Sequence, residues 1–344
     1  MSSYEFVQVS LNYYDCQNSL PSLKSLDSFL CDAPAQTLQM VCRNLDTAYR
    51  NFFEERADYP AFKRKHGKQS LHFPQGVRLG DQTIWFPKLG NIDAVIHRPL
   101  QGKIKTVTLS KNPSGQYHAS LSVEDGQLDP KAETVTLEGV VGVDLGIKHF
   151  ATFSDGTRIE NPKFFRKNRK RITRLSRRLS RCKKGSNRRM KARLKLAKAR
   201  QKETDQRKDF LHKLTSQLIG ENQAVAIEDL HVKGLQKNSK IAVSISEVAF
   251  GEFRRQLEYK AKRQGKTVSR IDRFFPSSKQ CNHCKRINHN LKLSDRFWLC
   301  DCGELVDREW NAALNLRDEA IKNLVPTDRG ECTLAENAVS KTLQ

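Results

Sequence analysis

Four of the nine cysteines fall within 22 residues, as Cys281-x2-Cys284, a gap of fifteen residues, then Cys300-x-Cys302. No other feature restricts the fold as much, because two close thiol pairs on separate turns suit a tetrahedral Zn²⁺ site. Four thiolates close the coordination sphere, so Cys281, Cys284, Cys300 and Cys302 are expected to hold a structural ion in a ribbon over residues 276–305. His283 and His289 lie near enough in sequence to replace a thiol, and a pair of disulfides or free thiols is the other reading. The isolated Cys16, Cys31, Cys42, Cys182 and Cys332 read as ordinary thiols.

The charge is as uneven as the thiols. The chain carries a formal +23, and the 46 residues from Lys163 to Lys208 hold 22 Lys or Arg against only Glu203 and Asp205. That stretch also has helical spacing: Ile172, Leu175 and Leu179 form one apolar stripe, Met190 and Leu194 another, and Lys183–Asn187 reads as a turn. The predicted element is a helical hairpin, a basic insert over residues 163–213, with cationic outer faces. A charge run is often just a solvated surface. So many cations on one hairpin repel each other without counter-anions, which points to a nucleic-acid backbone. The expected contacts are Arg169, Lys170, Arg174, Arg177, Arg178, Arg181, Lys184, Arg188, Arg189 and Arg193. Aromatic residues are sparse there, so base stacking is not the main mode; Phe164 and Phe165 are the exception and also read as core. No apolar run reaches the roughly 20 residues of a membrane span, and the opening MSSYEFVQVSLNYYDC lacks the pattern of a signal peptide. The expectation is a cytosolic (cytoplasmic) protein with no membrane partner and of unknown oligomeric state.

Along the chain, residues 1–66 read as helical, with Leu38, Val41, Leu45, Tyr49 and Phe52 on one stripe until Pro60 and Lys63-Arg64-Lys65 end it. Residues 67–135 read as short strands between turns, a small barrel or sandwich, ending in a polar linker over 126–133. Residues 136–325 alternate strands and helices, one helix being expected over about 247–264, and 326–344 read as a flexible tail. The run GVVGVDLG is apolar on both faces, as in a central strand. Alternation in AVAIEDL places Ala224, Ala226 and Glu228 on the face opposite Val225, Ile227 and Asp229. Gly142 and Gly146 are expected to leave space around Asp144, and Asp307 precedes the last helix, expected over 308–323, where it can cap it. Singly, Asp144, Glu228 and Asp307 read as caps or surface charges. Converging from two strands and a helix start, they could hold two Mg²⁺ ions.

At these residues the sequence resembles the TnpB (OrfB) family of insertion-sequence proteins. The resemblance is carried by VGVDLGIKHFATFSDG, RKDFLHKL, AIEDLHVKG, FFPSSKQCNHC and CDCGELVDREWNAALNL, and runs over roughly residues 30 to 325. It implies an α/β, RuvC-like (RNase H-type) nuclease domain carrying the basic insert and the C-terminal zinc ribbon. A helical recognition segment and a small β-barrel-like wedge would precede it. By position, Asp144, Glu228 and Asp307 align with the family's metal-binding acidic trio, for Mg²⁺ or Mn²⁺. The implied activity is RNA-guided DNA cleavage, with guide RNA and target DNA as partners. Lys285 stands where the family usually has Gly, and Glu309 where Asp is usual. The resemblance also implies an opening strand and an aromatic-rich helix not found here, so an N-terminally truncated copy is expected. A catalytically impaired copy acting as a nucleic-acid-binding regulator is the alternative. For a strand-joining transposase the sequence offers no evident Tyr nucleophile, and a junction resolvase would not need the cationic insert.

Overall fold

The computed structural model describes residues 12–63, 69–128, 130–239, 241–292 and 294–325. The expected flexible tail, 326–344, and Arg64 and Lys65 of the basic run lie outside the described residues. Two compact units emerge: residues 1–127 with 182–198, and residues 128–181 with 199–344.

In the first unit, α1 (Tyr13–Asn18) is capped by Asn12, whose side chain accepts from the Tyr14 and Asp15 N–H groups. Helices α2 (Leu20–Leu26) and α3 (Ala35–Phe53) follow. The β-rich segment then forms two three-stranded sheets. The first pairs β1 (Gln69–Phe73) with β5 (Lys103–Lys111) and β5 with β6 (Tyr117–Glu124). The second is the meander β2 (Arg78–Leu79), β3 (Thr83–Phe86) and β4 (Gly90–Asp93). Both sheets feed one apolar cluster of Phe73, Ile84, Phe86 and Val107, since alternate side chains of each strand point the same way.

The second unit is a mixed α/β layer structure. Its sheet holds β7 (Val140–Leu145), β8 (His149–Phe153), β9 (Arg158–Glu160), β10 (Ala224–Glu228) and β11 (Thr267–Ile271). Their order is β11-β10-β7-β8-β9, parallel from β11 to β7 and antiparallel from β7 to β9. The hairpin helices α4 (Phe164–Ser180) and α5 (Asn187–Glu221) separate β9 from β10. Helices α6 (Val232–Lys237), α7 (Ala242–Val248) and α8 (Phe250–Arg263) separate β10 from β11. The short hairpin β12 (Phe297–Leu299) and β13 (Leu305–Asp307) leads into α9 (Arg308–Leu324). One sheet face, with Val141, Val143, Val225 and Ile227, is covered by Leu211 and Leu218 of α5 and Phe253 and Leu257 of α8. The other, with Val140, Ala224 and Ala226, is covered by Leu316 and Ala320 of α9. Burial on both faces accounts for the unbroken apolar runs of β7 and β10.

The structure departs from the sequence reading in four places. The polar stretch expected as a linker partly belongs to the second unit, where Glu133 N–H donates to Gly265 O and nearby Val135 is buried. The helix expected from about 247 to 264 is broken at Ala249, which takes φ 55 between α7 and α8. On α5 the buried stripe is Ala192, Leu196 and Ala199, at helical spacing, while Met190 and Leu194 are exposed. At Gly142 the space is filled rather than left open. A Cβ there would meet Ala313 O at 1.9 Å, so the glycine lets the backbone of α9 lie directly on β7.

Candidate active site and metal centre

Asp144 and Glu228 become neighbours through strand register. In the parallel β7–β10 pairing the last matched couple is Val143 with Ile227, so the two carboxylates follow at the carboxyl ends of adjacent central strands. Ligands in open α/β sheets gather at such ends. Alternation turns both residues to the face covered by α9, as expected for Glu228. Burial, then the charges of Glu228 and Glu309, push the Asp144 carboxyl up to about 7, with Arg308 and Arg296 pulling the other way. Burial also raises Glu228. Crowded carboxylates that resist ionisation fit a site for hard divalent cations, which favour oxygen donors and relieve such repulsion.

The start of α9 brings two more carboxylates. Asp307 Oδ1 accepts from the Glu309 and Trp310 N–H groups, both at 3.1 Å, and so caps the helix as the sequence suggests. Its Oδ2 pairs with Arg158. Glu309, not among the candidates read from sequence, is held by His149 Nδ1 at 2.8 Å and Arg296 at 2.7 Å. Its charge is one of those that raise Asp144. Its position in the first helical turn, two residues from an expected acidic ligand, was the available signal.

The four thiols of the quartet lie within 4.8 Å of one another. Cys281 Sγ is 3.9 Å from Cys302 Sγ, and Cys284 Sγ is 3.5 Å from Cys300 Sγ. Tetrahedral Zn–S bonds of about 2.3 Å set sulfurs about 3.8 Å apart, so the cluster fits one metal ion with no position left over. His283 and His289 are outside this set. Buried Trp298 and Val306 pack beneath it. An asparagine clamp ties the first knuckle to α9: Asn311 and Asn315 both donate to Gln280 O, at 2.7 and 2.6 Å. In return Asn311 Oδ1 accepts from Asn282 N–H at 2.8 Å. Lys285 has φ 61, which accounts for a glycine preference at this position, and its Nζ pairs with Asp318 at 2.9 Å.

On α4, Arg169, Lys170, Arg174, Arg177 and Arg178 are exposed, and Arg181 just past its end is too. Lys184 and Arg188 are exposed in the turn and the start of α5, whereas Arg189 and Arg193 are half-buried. Arg189 donates to Cys182 O at 3.0 Å and so helps close the turn.

Comparison with known proteins gives the family. Residues 120–239 match the OrfB_IS605 family, described as "Probable transposase", and residues 250–316 match the "Cas12f1-like, TNB domain". A protein of Streptomyces pristinaespiralis named "Putative RNA-guided DNA endonuclease" is 39% identical over 317 residues, covering 90% of this chain and 78% of its own. InsQ of Escherichia coli K12, similarly named, is 32% identical over 289 residues, covering 79% of this chain and 71% of its own. In a solved Cas12f1–sgRNA–target DNA complex, the Cas12f1 fold superposes with a TM-score of 0.52 at 15% identity, over 89% of this chain and 79% of that one. With such identity sustained over most of both partners, the chain belongs to the TnpB (OrfB) family of insertion-sequence proteins.

Proposed function

We infer that the chain is an RNA-guided DNA endonuclease whose second unit is a RuvC-like, RNase H-type nuclease domain. The carrying observation is the convergence of Asp144 and Glu228 at the ends of paired central strands, with the start of α9 adding acidic groups. The mixed sheet, helix-covered on both faces, supports the fold assignment, and the relatives' names support the reaction class. Asp144, Glu228 and Asp307 are the acidic trio expected from sequence. Within the first turn of α9, the charge felt at Asp144 favours Glu309 as the third metal-facing carboxylate, with Asp307 bracing the turn as its cap.

When bound, Mg²⁺ or Mn²⁺ supplies activated water and stabilises the leaving oxygen. The chain's own groups do the positioning. Strand register sets Asp144 beside Glu228, and His149 and Arg296 orient Glu309. The exposed cations of α4 suit a nucleic-acid backbone, guide RNA or target DNA, without reading its sequence. The thiol cluster is read as a structural Zn²⁺ site, because four thiolates leave no coordination position for a substrate.

The test is cleavage of a DNA target matched to co-purified RNA, in Mg²⁺. Asp144→Ala and Glu228→Gln should abolish cutting while leaving RNA binding intact. Glu309→Gln should cost far more rate than Asp307→Asn, since Asn still caps a helix. Cutting by Asp144→Ala at the parent rate would overturn the assignment.

A further inference from the structure

A cavity of about 300 Å³ opens between the first turn of α4, the middle of α5 and α7. It is lined by Phe165, Glu203, Arg207, Val243, Ser246 and Glu247, none of them among the carboxylates around Asp144. The volume falls at the small end of ligand pockets, roughly 300–1,000 Å³. Its chemistry is mixed in an ordered way. Phe165 and Val243 supply apolar wall, as for a planar ring. Glu247, buried beneath, is already committed: Oε1 accepts from Arg166 N–H at 3.3 Å, and Oε2 faces Arg166 Nε at 3.7 Å. Arg207 is half-committed, with one guanidinium nitrogen donating to Ser246 O at 3.2 Å.

Glu203 differs from both. Among the described residues its carboxylate makes no hydrogen bond or ion pair, although it is half-buried. Burial raises its pKa, Arg207 pulls it down and Glu247 pushes it further up. A carboxylate set at the edge of an apolar wall, with no protein donor of its own, is free to accept from a ligand. Glu203 and Arg207 stand one turn apart on α5 and so share a face, presenting an acceptor beside a donor.

That pairing matches one base best. The Watson–Crick edge of guanine offers two adjacent donors, N1–H and the N2 amine, which a single carboxylate can take together. Its O6 acceptor lies next to them, within reach of a guanidinium. Adenine and cytosine each offer one donor, and uracil and thymine flank theirs with carbonyls that a carboxylate repels. Arg166, which pairs with Glu247 of the lining, and its neighbour Lys167 are exposed at the head of the cationic helix, a surface suited to a nucleic-acid backbone.

We propose that this cavity binds a single unpaired guanine extruded from a nucleic-acid strand lying along α4, with Glu203 accepting from N1–H and N2–H and Arg207 donating to O6. The site would add one sequence-selective point to an otherwise sequence-blind basic surface. It does not depend on the cleavage assignment, and binding alone tests it.

The experiment uses the full chain freed of RNA by high salt, and fluorescein-labelled heptauridylates whose central residue is guanosine, inosine or adenosine, in ribo and deoxyribo series. Inosine keeps O6 and N1–H and lacks only the N2 amine. Loss of one hydrogen bond to a charged group predicts about tenfold weaker binding or more for inosine. Glu203→Gln should erase the guanosine preference while leaving all-uridine oligomers bound as before, and Val243→Trp, which fills the cavity, should do the same. Equal affinities for the three oligomers, or a preference that survives both substitutions, would overturn the proposal. GMP competing as well as the guanosine oligomer would make a free nucleotide the occupant and overturn the strand assignment; clearly weaker competition by GMP, with the difference shrinking as salt is raised, would support it.

Discussion

Replacing Asp144 with asparagine should stabilise the Mg²⁺-free protein, and by an amount that grows with pH. The side chains are nearly the same shape, so packing against α9 is kept and the removable charge is the main variable. In the fold, burial and the neighbouring Glu228 and Glu309 raise the carboxyl from 3.8 to about 7. A carboxyl raised in this way is penalised when ionised, so stability is intact below the unfolded value and is lost as pH climbs to the folded one. At about 1.4 kcal/mol for each tenfold change, the full cost is about 4 kcal/mol above neutral pH and about 1.5 kcal/mol at pH 5. For a unit of this size, 1 kcal/mol moves the midpoint by roughly 2–4 °C, so Asp144→Asn should melt about 10 °C above the parent at pH 8 and only a few degrees above it at pH 5. Thermal unfolding followed by circular dichroism between pH 5 and 8, on zinc-loaded protein, measures this. Millimolar Mg²⁺ should stabilise the parent and not the variant, closing the gap. An asparagine variant less stable than the parent at pH 8, or a gap that ignores both pH and Mg²⁺, would refute the account of the site.

Other consequences can be checked more simply. Gly142→Ala drives a methyl into Ala313 O and Arg317 N of α9 and should cost about 3 kcal/mol or more, seen as a lowered urea midpoint. Reduced protein should carry about one Zn²⁺ per chain, and Cys302→Ser should lose it; metal analysis finding none in the parent would remove the thiolate site. Lys285→Gly relieves a left-handed residue worth about 1–2 kcal/mol and loses an exposed ion pair worth under about 1 kcal/mol. The substitution should therefore slow metal release to a chelator slightly. Replacing Arg169, Lys170, Arg174 and Arg177 together with alanine should flatten the salt dependence of RNA or DNA affinity by about 3 in the log–log slope.

Much of the second unit could be read from residue order. The apolar run of β7 announced a doubly covered strand, and period-two alternation in β10 grouped Glu228 with Ala224 and Ala226, the face that α9 proves to cover. The thiol spacing led to four sulfurs gathered within reach of one ion. What escaped depends on contacts between distant segments. Gly142 looked like room for a carboxylate because nothing local says that α9 will lie against it. Ala249 gave no sign of a left-handed break, since a glycine would have been the usual signal. Met190 and Leu194 made as good a stripe as Ala192 and Leu196 until packing chose between two faces of one helix. That the charge of Glu309 bears on Asp144 was not legible either, because the sequence does not say which strand end lies opposite the start of α9.

The asparagine clamp gives the thiol cluster an influence beyond its own knuckles. Gln280 O, which takes Asn311 and Asn315, lies immediately before Cys281, and Asn311 sits in the same first turn as Glu309. Whatever frees the first knuckle therefore also removes one of the anchors of that turn. A loss of shape in the ribbon would in this way reach the helix start that carries Asp307 and Glu309, with every carboxylate itself untouched.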